Sequence, residues 1–162
     1  MKPDFVAELQ YLGLSVRLKR ISENMVHGGR NLYRHLGLDI EPNWYLLLLL
    51  LKEHQQLSIT EMADYLRFSH PSIINMVKKM KSRGYLESFT DPKDSRRQLV
   101  ELSAKAKAKL PRLVQIWEAG EIGVRKLFEP DDNFLDKLAL LEQQYAEYDF
   151  MERTLKELDN EE

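Results

Sequence analysis

Cysteine is absent from the 162 residues, and that absence excludes disulfides, thiolate metal sites, cysteine nucleophiles and thiol redox sensing together. Glycine is scarce, with 7 in the chain, and none falls in a Gly-x-Ser-x-Gly elbow, a Walker loop or a Gly-x-Gly-x-x-Gly turn. The usual signatures of hydrolases and nucleotide-binding enzymes are therefore missing. His27, His35, His54 and His70 show no pairing at metal-ligand spacing, so neither a metal nor any other cofactor is expected. Long apolar runs are also lacking: Tyr45 to Leu51 is seven residues, against the ~20 needed to cross a bilayer. The opening Met1-Lys2-Pro3-Asp4-Phe5 carries no signal-peptide pattern. The expectation is a cytoplasmic chain with no membrane association, about one domain long and able to bury a core unaided.

What is present is charge, unevenly placed. The formal net charge of −2 sums unlike segments. Residues 1–66 carry 7 basic and 8 acidic side chains, residues 67–112 carry 12 and 4, and residues 113–162 carry 5 and 14. A basic middle in an acidic frame is the footprint of a chain that binds an anion at one place and repels it elsewhere.

Helical periodicity dominates. Tyr11, Leu14, Leu18, Ile21, Met25, Leu32 and Leu36 recur at three- and four-residue steps, and Phe5, Leu9, Leu12 and Val16 form a second stripe, so one long first helix buried from two sides is expected. Pro42 suits the first turn of a helix over Trp44 to Lys52, apolar nearly all round. Ser58-Ile59-Thr60-Glu61 has capping-box spacing and opens a short helix to about Leu66. Ser69 or His70 then caps a second helix, with Pro71 in its first turn and Gly84 as its stop. Tyr85 to Thr90 and Arg97 to Leu102 read as two short strands joined by Asp91-Pro92-Lys93-Asp94-Ser95-Arg96, a hairpin with a charged tip. Helical spacing returns from Ser103 and again, in one last helix, from Phe134 to Leu158.

Two short helices separated by Arg67-Phe68-Ser69-His70 have helix-turn-helix spacing, in which the second helix enters the DNA major groove. On that second helix Ile73, Met76, Val77 and Met80 should pack inward. Ser72, Asn75, Lys78, Lys79 and Ser82 are left outward, a polar and basic face with no acid. Asn75 suits the N6/N7 edge of adenine, Ser72 a base or phosphate, and the lysines phosphates. The hairpin tip adds Lys93, Arg96 and Arg97, suited to a narrow minor groove. Asp94 is expected to orient an arginine, and Lys105, Lys107 and Lys109, which oppose the helix dipole at a helix start, to meet phosphates. The long flanking helices carry more apolar surface than one small domain can bury, so a two-chain interface is expected.

The runs Leu57-Ser-Ile-Thr-Glu-Met-Ala-Asp-Tyr-Leu66, Ser69-x-x-Ser72, Val77-Lys-Lys-Met-x-x-Arg-Gly-Tyr-Leu86, Asp91-Pro-Lys-Asp-Ser-Arg96 and Val100-Glu-Leu-Ser103 resemble the MarR (multiple antibiotic resistance regulator) family over about residues 55–106. Ala106 departs from that pattern, where the family usually has glycine. The resemblance implies a mainly α fold with a small β-hairpin wing. A winged helix-turn-helix lobe would span 41–112, between an N-terminal dimerisation helix at 1–40 and C-terminal dimerisation helices at 113–162. It also implies a homodimeric regulator, a repressor of a near-palindromic double-stranded-DNA operator, whose helix at 69–83, Ser69 and His70 included, enters the major groove while Arg96 enters the minor groove. A small aromatic or phenolic effector is implied as well, with Tyr11, Tyr33, Trp44 and Tyr45 as candidates to line its pocket. The alternative is a winged-helix adaptor that holds a protein and does not bind DNA; it has no need of Lys93, Arg96 and Arg97 on one tip.

Overall fold

The most apolar stretch of the chain becomes its innermost helix. In the computed structural model, which describes residues 3–129 and 133–160, the elements in order are α1 (Phe5–Glu8), α2 (Leu14–His35), α3 (Trp44–His54), β1 (Gln56–Ser58), α4 (Ile59–Leu66), α5 (His70–Ser82), β2 (Leu86–Asp91), β3 (Asp94–Leu102), α6 (Ala104–Arg125), α7 (Phe134–Glu147) and α8 (Phe150–Asp159). Trp44, Leu47, Leu48 and Leu51 of α3 are buried, together with Met62, Ile73, Met80, Tyr85, Val100 and Ala106. This mainly helical fold with a small antiparallel sheet is the expected class. No described helix is long and apolar enough to cross a membrane.

The chain divides into two units, Met1–Pro111 and Arg112–Glu162. The division falls at Pro111, inside α6, where the ring removes the N–H that would bond the carbonyl of Lys107.

Four expectations need correction. The single first helix is two, because Gln10 takes a left-handed φ of 48° and the chain doubles close upon itself. A Cβ at Gly13 would lie 2.3 Å from the Val6 carbonyl oxygen. Asp4 accepts from the Val6 N–H and pairs with Arg20 on α2 at 2.7 Å, tying the short helix down. The single last helix is also two. Tyr148 is extended (φ −140°, ψ 122°), and Asp149 and Glu152 form a capping box with both bonds at 2.9 Å, which starts α8 afresh. Met1, Lys2, Pro130, Asp131, Asp132, Glu161 and Glu162, which the expected N- and C-terminal dimerisation segments include, lie outside the described residues.

The sheet has three strands in the order β1-β3-β2, not two. β1 pairs Leu57 with Val100 and Ser58 with Leu99. Three residues are too few to show a period of two, so only the cap at Ser58 was visible in the pattern. Finally, Pro42 precedes the N-cap Asn43 of α3 instead of sitting in its first turn.

Candidate nucleic-acid interface

The interface is built outward from the core. Ser58 Oγ accepts from the Glu61 N–H at 3.3 Å, and Glu61 Oε2 accepts from the Ser58 N–H at 2.8 Å, so α4 starts with both orphan donors satisfied. It ends on Arg67 at φ 52°, ψ 40°, a left-handed conformation that an L side chain adopts at a cost of roughly 1–2 kcal/mol. That residue turns the chain into α5.

On α5, Ile73, Met76, Val77 and Met80 are at most 6% exposed, as the spacing predicts. Their burial turns Ser72, Asn75, Lys78, Lys79 and Ser82 to solvent. Ser69 is the N-cap, but its hydroxyl bonds Ser72 Oγ at 2.9 Å and not the helix backbone. His70 stands exposed at the same end. Gly84, at φ 72°, stops the helix, and the Tyr85 N–H reaches back to the Met80 carbonyl at 2.9 Å.

A polar knot fixes the far end of α5. Asp39 accepts from Lys105 Nζ at 2.7 Å, from Lys109 Nζ at 2.9 Å and from the Tyr85 hydroxyl. Lys105 also donates to the Arg83 carbonyl at 2.7 Å. Arg83 in turn donates to the Asp39 carbonyl at 3.1 Å and to Glu41 Oε1 at 3.3 Å. Burial pushes the Asp39 carboxyl up, but the bonds from Lys105, Tyr85 and Lys109 outweigh it and hold the group well below the usual carboxylate range. Burial, then the Asp39 carboxylate, pushes the Tyr85 phenol up to about 12. The expectation that Lys105 and Lys109 meet phosphates is therefore corrected: both are turned to Asp39, and only Lys107 of the three stays clear of it.

At the wing, β3 starts at Asp94, so the tip is only Pro92-Lys93 and not the six residues expected. Asp94 Oδ1 accepts the Arg96 backbone N–H at 3.0 Å. It thus orients an arginine as expected, through the backbone of Arg96, and its charge also acts on Arg97. Lys93 and Arg96 are exposed, and among the described residues no carboxylate pairs with them or with Lys78 or Lys79. Arg97 differs: it pairs with Glu61 and lies 3.9 Å from Asp91 Oδ2. The Arg97 guanidinium, then the Ser58 N–H, draw the Glu61 carboxyl down to about 2.

A cleft of about 660 Å³ opens beside the outward face of α5. Val26 and Arg30 of α2, Glu41 to Trp44, Arg67 to Ser69, and Ser72, Asn75, Met76 and Lys79 line it. Ser69, Ser72, Asn75 and Lys79 are thus brought to one place. Of the four aromatics expected to line a pocket, Trp44 does so. Tyr33 is buried at 5% exposure, Tyr11 lies in the turn between α1 and α2 at 89%, and Tyr45 is half exposed, none of them in the lining.

Ile74 and Asp39 carry no signal in the sequence pattern, and Arg67 and Glu61 show there only as turn and cap residues. Ile74 is 50% exposed on the outward side of α5 and offers an apolar contact of the kind a thymine methyl takes. Arg67 could have been found as a long basic residue where the turn favours glycine.

Residues 38–97 match the model of the MarR family. No curated protein matches the chain in sequence. Among solved structures, the S. aureus MepR–DNA complex is 19% identical with a TM-score of 0.69, the match covering 82% of this chain and 96% of that one. A mutant MarR from E. coli complexed with operator DNA is 18% identical with a TM-score of 0.65, over 88% and 98% of the two chains. A probable transcriptional regulator from Pseudomonas aeruginosa is 21% identical with a TM-score of 0.58, over 83% and 95%. At these identities the likeness is one of fold.

Proposed function

We infer that this chain, a member of the MarR family, is a sequence-specific double-stranded-DNA-binding transcriptional regulator and not an enzyme. We further propose that it acts as a homodimeric repressor of a near-palindromic operator, relieved by a small effector. The observation that carries the reading is the division of α5 into a buried apolar face and an exposed face of Ser72, Asn75, Lys78 and Lys79 with no acid on it. Similar structures that are DNA complexes support it.

In this reading Asn75 and Ile74 face base edges, Ser69, His70 and Ser72 meet the duplex at the helix start, and Lys78 and Lys79 meet phosphates. Lys93 and Arg96 reach the minor groove from the wing. A dimer would set two copies of α5 about one turn of DNA apart, roughly 34–36 Å. An effector in the cleft beside α5 would lower DNA affinity by covering Ser69, Ser72, Asn75 and Lys79, or by binding better to a dimer with those helices wrongly spaced.

The test is fluorescence anisotropy on the duplex upstream of the chain's own gene, against a scrambled duplex, across salt. Contact with about six to ten phosphates predicts an affinity loss of ~10³–10⁵ between roughly 50 and 200 mM salt, with the native duplex preferred. Equal weak binding to both duplexes, flat in salt, would move the reading to the adaptor.

A further inference from the structure

The register of the sheet carries Arg97 to a particular neighbour. Ser58 pairs with Leu99 across β1 and β3, and α4 starts directly after Ser58. Glu61, one turn into α4, and Arg97, two residues from Leu99 along β3, are thereby set side by side. Glu61 is not a loose surface acid, because its Oε2 also accepts the Ser58 N–H at 2.8 Å and the Ser58 hydroxyl at 2.9 Å. The backbone of α4 fixes the carboxylate, and the carboxylate fixes the guanidinium.

That segment of the wing has little else to hold it. The β2–β3 ladder breaks between Thr90, opposite Gln98, and Asp91, opposite Asp94, so Ser95, Arg96 and Arg97 face no partner across the ladder. Asp91, whose side chain is only 11% exposed, closes the other side of Arg97 at 3.9 Å. Glu61 takes one guanidinium donor and Asp91 adds charge at 3.9 Å, beyond hydrogen-bond reach, so two carboxylates draw the guanidinium back toward α4 and β2. Arg96 is the next residue along an extended strand, where successive side chains leave opposite faces. Holding Arg97 against α4 therefore sets the direction in which Arg96 leaves.

We propose that the Glu61–Arg97 pair is a strut between the helix-turn-helix and the wing, with Arg97 a positioning residue that aims Arg96 at the DNA instead of a groove contact itself. The proposal rests on the DNA-binding reading above. Glu61→Gln removes the charge and keeps the cap, since glutamine serves that position of a capping box equally well. Glu61→Gln and Arg97→Gln should each weaken binding to the preferred duplex about fivefold, the upper range for a half-exposed pair. The double variant should be no weaker than either single one. Because no phosphate contact is lost, all forms should keep the wild-type salt slope, and the melting temperature should fall only by the small contribution of one half-exposed ion pair.

A direct contact predicts the reverse. Arg97→Gln would then reduce the slope by about one, and Glu61→Gln, by freeing the arginine, would bind as tightly as wild type or more tightly; either result overturns the strut. Amide hydrogen exchange on the DNA-free protein separates this from the function. Glu61→Gln should speed exchange at the last ladder pairs before the break, Phe89 with Leu99 and Thr90 with Gln98, and leave α3 unchanged, and unchanged rates at those pairs overturn the proposal. Should the wild type bind no duplex, the regulator reading fails, and the exchange rates alone decide whether the strut exists.

Discussion

The winged lobe and the flanking helices treat the same residue type in opposite ways. Leu47 and Leu48 in α3 are wholly enclosed at 0% exposure. Leu135 in α7 stands 71% exposed and Leu158 in α8 58%, and neither helix buries a single residue. On α2 the buried residue is Tyr33, while Ile21 and Met25 are 57% and 56% exposed. The lobe encloses its leucines, whereas α2, α7 and α8 carry large apolar side chains that stand exposed. Apolar surface on that scale marks contact with another surface, and a second copy is the occupant the proposed dimer supplies.

The sharpest break of that comparison is Leu47→Ala against Leu158→Ala. The first should cost about 2–5 kcal/mol in urea unfolding, equally at low and high protein concentration. The second should matter only at concentrations where copies associate, and should shift sedimentation toward the single chain. A loss at Leu158 that ignores concentration would end the distinction between the two regions.

A smaller effect is expected at the knot beside α5. Asp39→Asn should destabilise the lobe by about 1 kcal/mol, a figure already reduced for the exposure of the group. Its folded carboxyl sits below the ordinary value of 3.8, so the stability it contributes is present above that pH and lost as the pH falls beneath it. The wild-type melting temperature should therefore drop more steeply than that of Asp39→Asn in that acid range, with the two curves parallel at neutral pH.

The smallest effect has the opposite sign. Arg67→Gly relieves the left-handed strain at the helix-turn-helix turn and should raise the unfolding free energy slightly, by no more than about 1 kcal/mol, since glycine also loses more freedom on folding. If Arg67 is kept for its position in the cleft, the same variant should bind DNA or effector less well despite its greater stability.

Legibility in the sequence followed distance along the chain. The inward face of α5 could be read because four apolar residues repeat within one helix, and the stop at Gly84 because a positive φ favours that residue. The break before α8 was also written locally, in Asp149 and Glu152, but the continuing apolar period masked it. Asp39 could not be read at all: its donors Tyr85, Lys105 and Lys109 lie 46, 66 and 70 residues away, and an acid in a polar loop looks like any solvated carboxylate. Arg97 was legible as a charge at a wing but not as a charge already spoken for, because its partner sits 36 residues earlier on another element.

The wing also has a mechanical side. β1 stops pairing at Leu99, so everything beyond that residue is a two-stranded ribbon standing out from a three-stranded base. Narrow ribbons twist more and fray more readily than sheets. A tie at the root of such a cantilever shortens the part that is free to wander. Whatever ordering the tip still undergoes on meeting a surface is then confined to the few residues around Pro92 and Lys93, and the entropy surrendered in docking shrinks with the length of the free lever.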